Sequence, residues 1–342
     1  MTRRVLAAPL LAIAAAAPAM PAGQQPGTYH ERVDVTRVLI DARVLDGRGQ
    51  PVRELGVDDF AVTIGGKAAR VESVLWVSGA PADAPILDSS ELRSPYQEAQ
   101  GRLIVFVFQK SLEKSRIVGF MRMLIEAQGL VDLFRAEDRV AVTSFDSHLR
   151  IWIDFTNDFE RIRRVFRRGI LFERAPPVQE AAGPSLVRRL DSRRASRTYT
   201  IEGALRRIGD AIAPLPGAKS VILVGHGFGR FGAGGVSMEN EYDDMRDALQ
   251  AARASVFCLD VTDADYHSLE AGLQLVAADT GGFFARTHIF PQRALDTLVG
   301  ALAGHYVLFV ERPPLERGTH GIDVTLKTGR DMVLARSSYT AP

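Results

Sequence analysis

Residues 103–108 (LIVFVF) form an unbroken apolar run of strand length, and this run constrains the fold more than any other feature of the chain. Such a run is typical of a parallel strand that is buried on both faces, since an exposed face would carry polar residues at alternate positions. Further buried strands are predicted at 221–224 and 255–261, and amphipathic helices are predicted between the strands. This alternation predicts a mostly parallel sheet that is covered by helices on both faces.

The other elements of this central region follow from the same two patterns. Strands at 139–145 and 149–154 are joined by only three residues, so the second is predicted to be an antiparallel edge strand. Asn157 and Glu160 are spaced as a capping box that would open the following helix. Helices are predicted at 117–134, 158–168, 200–213, 239–253, 266–278 and 292–303, with a last strand at 283–287.

Both ends of the mature chain show the period-2 alternation of half-buried strands instead. This pattern covers residues 33–44 and 61–77, and it returns in three strands after residue 304. We therefore expect a Rossmann-like, doubly wound six-stranded domain that is inserted in a small antiparallel β-sandwich. The predicted divisions are 30–78 for the first sandwich part, 79–101 for a linker, 102–303 for the inserted domain and 304–342 for the strands that complete the sandwich.

The first residues have the pattern of an export signal. Arg3 and Arg4 precede an apolar stretch at 5–19, and small residues follow as far as Ala22 and Gly23. This predicts a cleavable signal peptide at 1–22 and an exported protein, either periplasmic or extracellular. A membrane anchor is the alternative, but the run is short for a bilayer span and no charged stop follows it.

Composition excludes several classes of protein. The chain has 42 Lys and Arg residues against 41 Asp and Glu residues, a balance that does not favour nucleic-acid binding. Its one cysteine, Cys258, excludes an intrachain disulfide framework and a cysteine-rich metal site, and its apolar surroundings predict a buried, inert thiol. After the signal, no stretch of about 18 apolar residues indicates a membrane span.

Several short motifs resemble the von Willebrand factor type A domain family, in particular the variant found in secreted acidobacterial proteins. The resemblance covers nearly all of the mature chain. The matching pieces are 44–52 (VLDGRGQPV), 138–142 (DRVAV), 155–158 (FTND), 280–282 (TGG), 305–308 (HYVL) and 335–342 (ARSSYTAP). The resemblance implies a non-catalytic module that binds other proteins, and we expect its partner to be a protein of unknown identity.

The resemblance also implies where binding occurs. In better-preserved relatives a divalent ion is held by an Asp-x-Ser-x-Ser loop, a threonine and a second aspartate at the top of the sheet. Here Gln109 stands at the first aspartate position and His226 at the second. Two neutral groups in place of two anionic ligands predict a degenerate adhesion site with no cofactor, although a metal-dependent site with non-standard ligands remains an alternative. The predicted partner-binding residues are Gln109, Ser111, Glu113, Thr198, Thr200 and His226.

An enzyme is the competing class. The segment 225–229 (GHGFG) lies between a strand and a helix, but its glycine spacing and the lack of an acid about 20 residues later do not match a dinucleotide loop. The same segment resembles a nucleophile elbow that has Gly227 in place of the serine. A hydrolase that uses the cleft around His226 would need an acid and a hydroxyl within reach of the imidazole. The histidines show no zinc-binding spacing.

The segment 160–207 is basic, with 13 arginines against 5 acids. It is interpreted either as a solvated, flexible surface segment or as a patch for an anionic partner, namely an acidic protein, a lipid headgroup or an envelope polysaccharide. The residues of this candidate patch are Arg188, Arg189, Arg193, Arg194 and Arg197. A scaffold role in the cell envelope is a third functional class.

Overall fold

The computed structural model describes residues 37–78, 101–233, 235–238, 240–288 and 290–341. All of them belong to one compact unit, Thr36–Pro342. The predicted signal peptide at 1–22 lies outside the described residues, as do the predicted strand start at 33–36 and the predicted linker apart from residue 101. Among the described residues, no helix combines the length and the apolar character needed to cross a bilayer.

The elements are numbered in chain order. The strands are β1 (Arg37–Leu45), β2 (Phe60–Ile64), β3 (Lys67–Ala69), β4 (Val71–Ser78), β5 (Leu103–Gln109), β6 (Arg139–Phe145), β7 (Leu149–Thr156), β8 (Lys219–Gly225), β9 (Arg230–Gly232), β10 (Gly235–Ser237), β11 (Ala254–Asp260), β12 (Phe284–Arg286), β13 (Gly304–Glu311), β14 (Gly318–Leu326), β15 (Met332–Ala335) and β16 (Ser338–Ala341). The helices are α1 (Lys114–Val131), α2 (Phe159–Arg164), α3 (Ile170–Phe172), α4 (Ser192–Ala195), α5 (Ile201–Ile212), α6 (Tyr242–Ala251), α7 (Glu270–Thr280) and α8 (Pro291–Leu302).

The central sheet has six strands in the order β12-β11-β8-β5-β6-β7. All neighbours are parallel except β7, which pairs antiparallel with β6 at one edge. Numbered within the sheet, this is the doubly wound order 3-2-1-4-5-6 read from β7, and it reverses between β5 and β8. The predicted fold class is confirmed, including the antiparallel edge strand.

Strand β5 lies between two hydrophobic cores, one on each face of the sheet, and all seven of its residues are buried. Ile104, Phe106 and Phe108 point to the core that includes α1 and α8. The alternate residues Leu103, Val105 and Val107 point to the core that includes α5, α6 and α7. A side chain on either face of this strand is therefore enclosed by helices, as the continuous apolar run predicts.

The two chain ends form the predicted β-sandwich. One sheet has the order β15-β1-β13-β4 and the other has the order β16-β14-β2-β3. Ile40 and Leu308 from the first sheet pack in one core with Val62 and Ile64 from the second. Strands from before and after the α/β region alternate in the first sheet, and in the second β14 from after the region pairs with β2 from before it. Each sheet therefore needs strands from both parts of the chain.

Charged side chains join the sandwich to the α/β region. Asp41 of β1 accepts hydrogen bonds from Arg253 Nε at 2.9 Å and Nη2 at 2.5 Å. Arg253 follows α6 with a φ of 52°, a conformation that is uncommon for a residue other than glycine and that indicates local strain. Arg43 donates from Nη1 to Ser255 Oγ at 2.7 Å and from Nε to the carbonyl of Ala301 at 3.0 Å.

The basic segment is packed more firmly than its sequence suggests. Asp154, which is buried at the end of β7, accepts hydrogen bonds from the Ser185 hydroxyl at 2.6 Å and from the amide of Leu186 at 2.7 Å. Leu186 and Leu190 are buried in the core beside α5. A buried carboxylate and apolar anchors therefore attach residues 185–190 to the domain, while most of the segment lies at the surface as predicted.

The start of α2 also differs from prediction. The N-cap is Asp158, whose side chain accepts a hydrogen bond from the amide of Arg161 at 3.0 Å, so the predicted capping box at Asn157 and Glu160 is wrong by one residue. Aspartate is as good a cap as asparagine, and the sequence offers both in succession. A π-helical turn at Val165–Gly169 then joins α2 to α3.

Replacing Gly119 by alanine is expected to destabilise the protein. Helix α1 packs so closely on Val261, the residue that follows β11, that a Cβ at this position would collide with its carbonyl oxygen. We expect a loss of about 1–3 kcal/mol in the free energy of unfolding, measured by urea denaturation. Gly129→Ala in the same helix is the matched control, since no atom lies within 4 Å of the added methyl group, and it should be neutral or stabilising by up to about 1 kcal/mol. Equal effects of the two substitutions would contradict this account of helix docking.

Candidate functional site

The predicted site lies at the edge where the parallel strands end, and Gln109 organises it. Gln109 is the last residue of β5, and its buried amide spans the gap to the loop after β8. Its Oε1 accepts a hydrogen bond from the amide of His226 at 3.0 Å, and its Nε2 donates to the carbonyl of Gly227 at 2.8 Å. The side chain thus fixes the loop after β8 at the point where the strand order reverses.

Ser111 and Glu113 lie together in the turn that opens α1. The amide of Glu113 donates to Ser111 Oγ at 3.3 Å, and the carboxylate of Glu113 pairs with Arg116 Nη1 at 3.2 Å. Glu113 occupies the N-cap position of α1 but does not cap it through its side chain. Both residues remain accessible at the end of the sheet.

Thr198 and Thr200 are engaged elsewhere. Thr200 is the N-cap of α5, and its hydroxyl accepts from the amide of Gly203 at 3.1 Å and donates to Glu241. The Thr198 hydroxyl donates to the carbonyl of Arg194 at 2.9 Å and accepts from Arg207 Nε at 2.6 Å. Both hydroxyls therefore serve local structure at the start of α5.

The imidazole of His226 sits near cationic groups. Its Nδ1 atom is buried and has no hydrogen-bond partner. Burial, followed by the positive charge of Arg116, lowers the pKa of His226 to about 3, so the ring is neutral at physiological pH. A hydrolase at this histidine would need an acid or a hydroxyl hydrogen-bonded to the imidazole, and no side chain in the part of the chain that the structure describes is bonded to Nδ1.

Two more polar groups at this edge lack partners, and sequence reasoning missed both. Arg116 Nε, in the first turn of α1, and Thr262 Oγ1, in the loop after β11, are buried and unpaired. Thr262 is only 6% exposed. The adjoining backbone is joined by hydrogen bonds from Asp263 to Ser115 at 2.7 Å and from Val261 to Gly225 at 2.8 Å. Three neighbouring elements thus contribute Arg116, His226 and Thr262, which we call the edge cluster.

A group of metal-ligand type lies beside the edge cluster. The ligand atoms of Asp260, His267 and Glu270 all lie within 4.8 Å of one another. However, Asp260 Oδ2 is 2.7 Å from His267 Nε2, and Glu270 is paired with both Nε and Nη2 of Arg286 at 2.9 and 2.6 Å. These bonds attach the loop after β11 to α7 and β12. Sequence patterns did not identify this group; an acid inside the predicted apolar strand 255–261 is the sequence feature that points to it.

Large apolar side chains are exposed in the loops around this edge. Leu112, after β5, is 83% exposed, Tyr199, before α5, is 74% exposed, and Tyr266, after β11, is 71% exposed. An open groove of about 620 Å³ runs beside Val118 and Asp263. These three side chains add exposed apolar area to the loops at this edge.

The residues at the positions that the sequence resemblance assigns to metal ligands do not fit Mg²⁺. The ion prefers six hard oxygen ligands in octahedral geometry. Gln109 already uses its oxygen to hold the amide of His226, and His226 offers no carboxylate. The Thr198 hydroxyl is bonded to Arg194 and Arg207, and the Thr200 hydroxyl donates to Glu241. Among the described residues, Glu113 is left as the one predicted site residue with a carboxylate, and it is paired with Arg116.

The candidate arginine patch is exposed but partly neutralised. Arg188 pairs with Glu180, and Arg194 Nε lies 3.7 Å from a carboxylate oxygen of Asp191. Exposed pairs of this kind contribute little to stability because water and salt screen them. All five arginines that were proposed for an anionic partner, Arg188, Arg189, Arg193, Arg194 and Arg197, are exposed.

No known family model matches the chain, and no curated protein matches it. Solved structures that resemble it include von Willebrand factor type A proteins. A von Willebrand factor type A protein from Catenulispora acidiphila is 11% identical, with 84% of this chain and 75% of that chain covered and a TM-score of 0.40. Proximal thread matrix protein 1 from the mussel byssus is 15% identical with a TM-score of 0.40, covering 59% of this chain and 48% of that chain.

BatB from Bacteroides thetaiotaomicron is 13% identical, with 59% of this chain and 99% of that chain covered and a TM-score of 0.40. The chain spans about half the length of the mussel protein. All three TM-scores are 0.40, so the topology of the central sheet is read from the strand order of this chain alone.

The stability of the protein is expected to fall in acid partly through His226. In the unfolded chain this histidine binds a proton below its ordinary pKa of 6.5, whereas the folded protein excludes the proton down to a pKa of about 3. Between pH 6.5 and about pH 3 the unfolded state therefore binds more protons than the folded state. Each proton that the folded state excludes lowers the free energy of unfolding by about 1.4 kcal/mol for every unit by which the pH falls.

His226→Gln should reduce the slope of the unfolding free energy against pH by the equivalent of one proton, measured by urea denaturation between pH 8 and pH 4.5. Part of the slope should remain in the variant, because burial also lowers the pKa of His305, to about 4. An unchanged slope would contradict the assignment of His226 as a buried neutral group.

Proposed function

We propose that this protein is an exported, non-catalytic interaction module of the von Willebrand factor type A kind. Its partner, a protein, would contact the loops at the C-terminal ends of the parallel strands. The single observation that carries this proposal is that three elements bring the edge cluster (Arg116, His226 and Thr262) to the loop edge where Leu112 and Tyr266 are exposed. The sequence motifs, the export-type N-terminus and the strand order support it.

The chemistry of the edge supports binding without catalysis. Arg116 Nε and Thr262 Oγ1 are buried, so an ordered water would supply the hydrogen bonds that they lack, because an unpaired buried polar atom is costly. Leu112, Tyr199 and Tyr266 would contribute apolar area around that polar centre. An apolar surround with a few directed polar contacts is the usual arrangement of energetically important interface residues.

We further propose that the module binds its partner without a divalent cation. In this proposal the amide of Gln109 performs the structural task of joining β5 to the loop after β8, and the ion is not needed to hold these loops together. The positive charge of Arg116 near His226 also disfavours a second cation there. The exposed arginines at 188–197 are a second contact region for an acidic partner.

Magnesium is expected not to bind at the edge with useful affinity. Isothermal titration calorimetry with Mg²⁺ and with Mn²⁺ should show no saturable heat in the micromolar range, because two neutral groups replace two anionic ligands. A micromolar dissociation constant that is lost in Gln109→Ala would show that the degenerate-site proposal is wrong.

Partner capture is expected to depend on the apolar loop residues. Tagged protein is incubated with envelope extract, and captured proteins are compared with and without EDTA. A Leu112→Ser, Tyr266→Ser variant should lose the specific partner, while EDTA should have no effect. Met332→Ser is the matched control, since Met332 is also exposed but lies in β15 of the sandwich. Capture that is retained by the loop variant and lost in the control would place the interface on the sandwich instead.

A further inference from the structure

A small cavity lies where the sandwich meets the α/β region. It has a volume of about 30 Å³, and its lining includes Asp41, Arg253, Ser255 and Arg336. A space of roughly 10–15 Å³ on this measure holds one water, so the cavity has room for a small ion or for one to two waters. It lies at the opposite end of β11 from the edge cluster, because Ser255 is near the start of β11 and Thr262 follows its end.

Positive charge is in excess around this cavity. Arg43, Arg253 and Arg336 surround Asp41, which is the one carboxylate among the described residues whose charge acts on Arg43 and Arg336. Arg43 is only 3% exposed. A buried charge that lacks a counter-charge is expensive, because the protein interior solvates ions poorly.

Two further basic groups respond to this excess. Lys219 is 2% exposed, and burial followed by the charge of Arg253 lowers its pKa to about 8. Burial also lowers the pKa of His305 to about 4, so this imidazole is neutral at physiological pH although its Nε2 lies 3.5 Å from Asp41. The charged side chains that line the cavity are thus two arginines, Arg253 and Arg336, and one carboxylate, Asp41.

The hydrogen bonds around the cavity leave donors available. Arg336 donates from Nη2 to the carbonyl of Leu39 at 3.0 Å, but its Nε atom is buried and has no partner. Ser255 Oγ accepts from Arg43 at 2.7 Å, which leaves the hydroxyl proton free to donate. Both oxygens of Asp41 are already bonded to Arg253.

We infer that this cavity is a binding site for a small monovalent anion of chloride size, held by Arg336 Nε and the Ser255 hydroxyl beside Arg253. A water molecule would satisfy the unpaired donor but would leave the charge excess, whereas an anion does both. The volume excludes organic carboxylates and extended oxyanions. Bound there, the anion would link β1 of the sandwich to the α/β region and stabilise the folded chain through its differential affinity for the folded state.

The test compares urea unfolding of the full chain in sodium chloride and in sodium gluconate at equal ionic strength. Chloride should lower the unfolding constant by the factor 1 + [Cl⁻]/Kd, about 100-fold when its concentration is 100 times the dissociation constant, and gluconate should not. Bromide should substitute for chloride, and sulfate at matched ionic strength should not reproduce this change.

Arg336→Gln should abolish the chloride-specific change, because it removes both the positive charge and the Nε donor. Arg330→Gln is the control, since Arg330 is an exposed arginine of the same C-terminal region. If Arg336→Gln does not fold, anomalous scattering from a bromide-soaked crystal of the unaltered protein decides the question. Identical unfolding in chloride and gluconate, or a cavity without a bromide peak, would overturn the inference.

Discussion

Burial of both faces of the central sheet is the constraint on which the rest of this structure depends. Helices cover β5 on each side, so none of its side chains reaches solvent through a face of the sheet. Groups that bind a partner must then be supplied by the ends of the strands and the loops that follow them. The reversal of strand order between β5 and β8 separates their outgoing loops and opens a gap at this edge.

Gln109 fills that gap with a neutral group. Its amide donates to one backbone carbonyl and accepts from one backbone amide, so the connection between β5 and the loop after β8 needs no ion. An acid at this position would be free to coordinate a cation, but it could not donate to Gly227. Glutamine at this position therefore joins the two loops and adds no negative charge to the edge, where Arg116 and Glu113 form an ion pair beside the neutral His226.

The junction of the sandwich with the α/β region is held by charge rather than by apolar packing alone. Asp41 and Arg253 form a bidentate pair, and the strained backbone at Arg253 is maintained because this pair and the adjoining strands fix its position. Removing one partner of such a pair leaves a buried charge, so each depends on the other. The basic residues in excess at this junction are the physical reason for expecting an anion there.

The sequence by itself determined the layers, since the apolar run at 103–108 requires a strand covered on both faces and the alternating segments at both ends require a sandwich. It also placed Gln109 and His226 at one edge, because parallel strands end on the same side. Only the tertiary structure decided that Thr198 and Thr200 serve α5, and that Arg116, Thr262 and the group around Asp260 join the edge. Hydrogen-bond partners and buried charge arise from contacts between residues far apart in the chain, and local patterns of hydrophobicity carry no information about them.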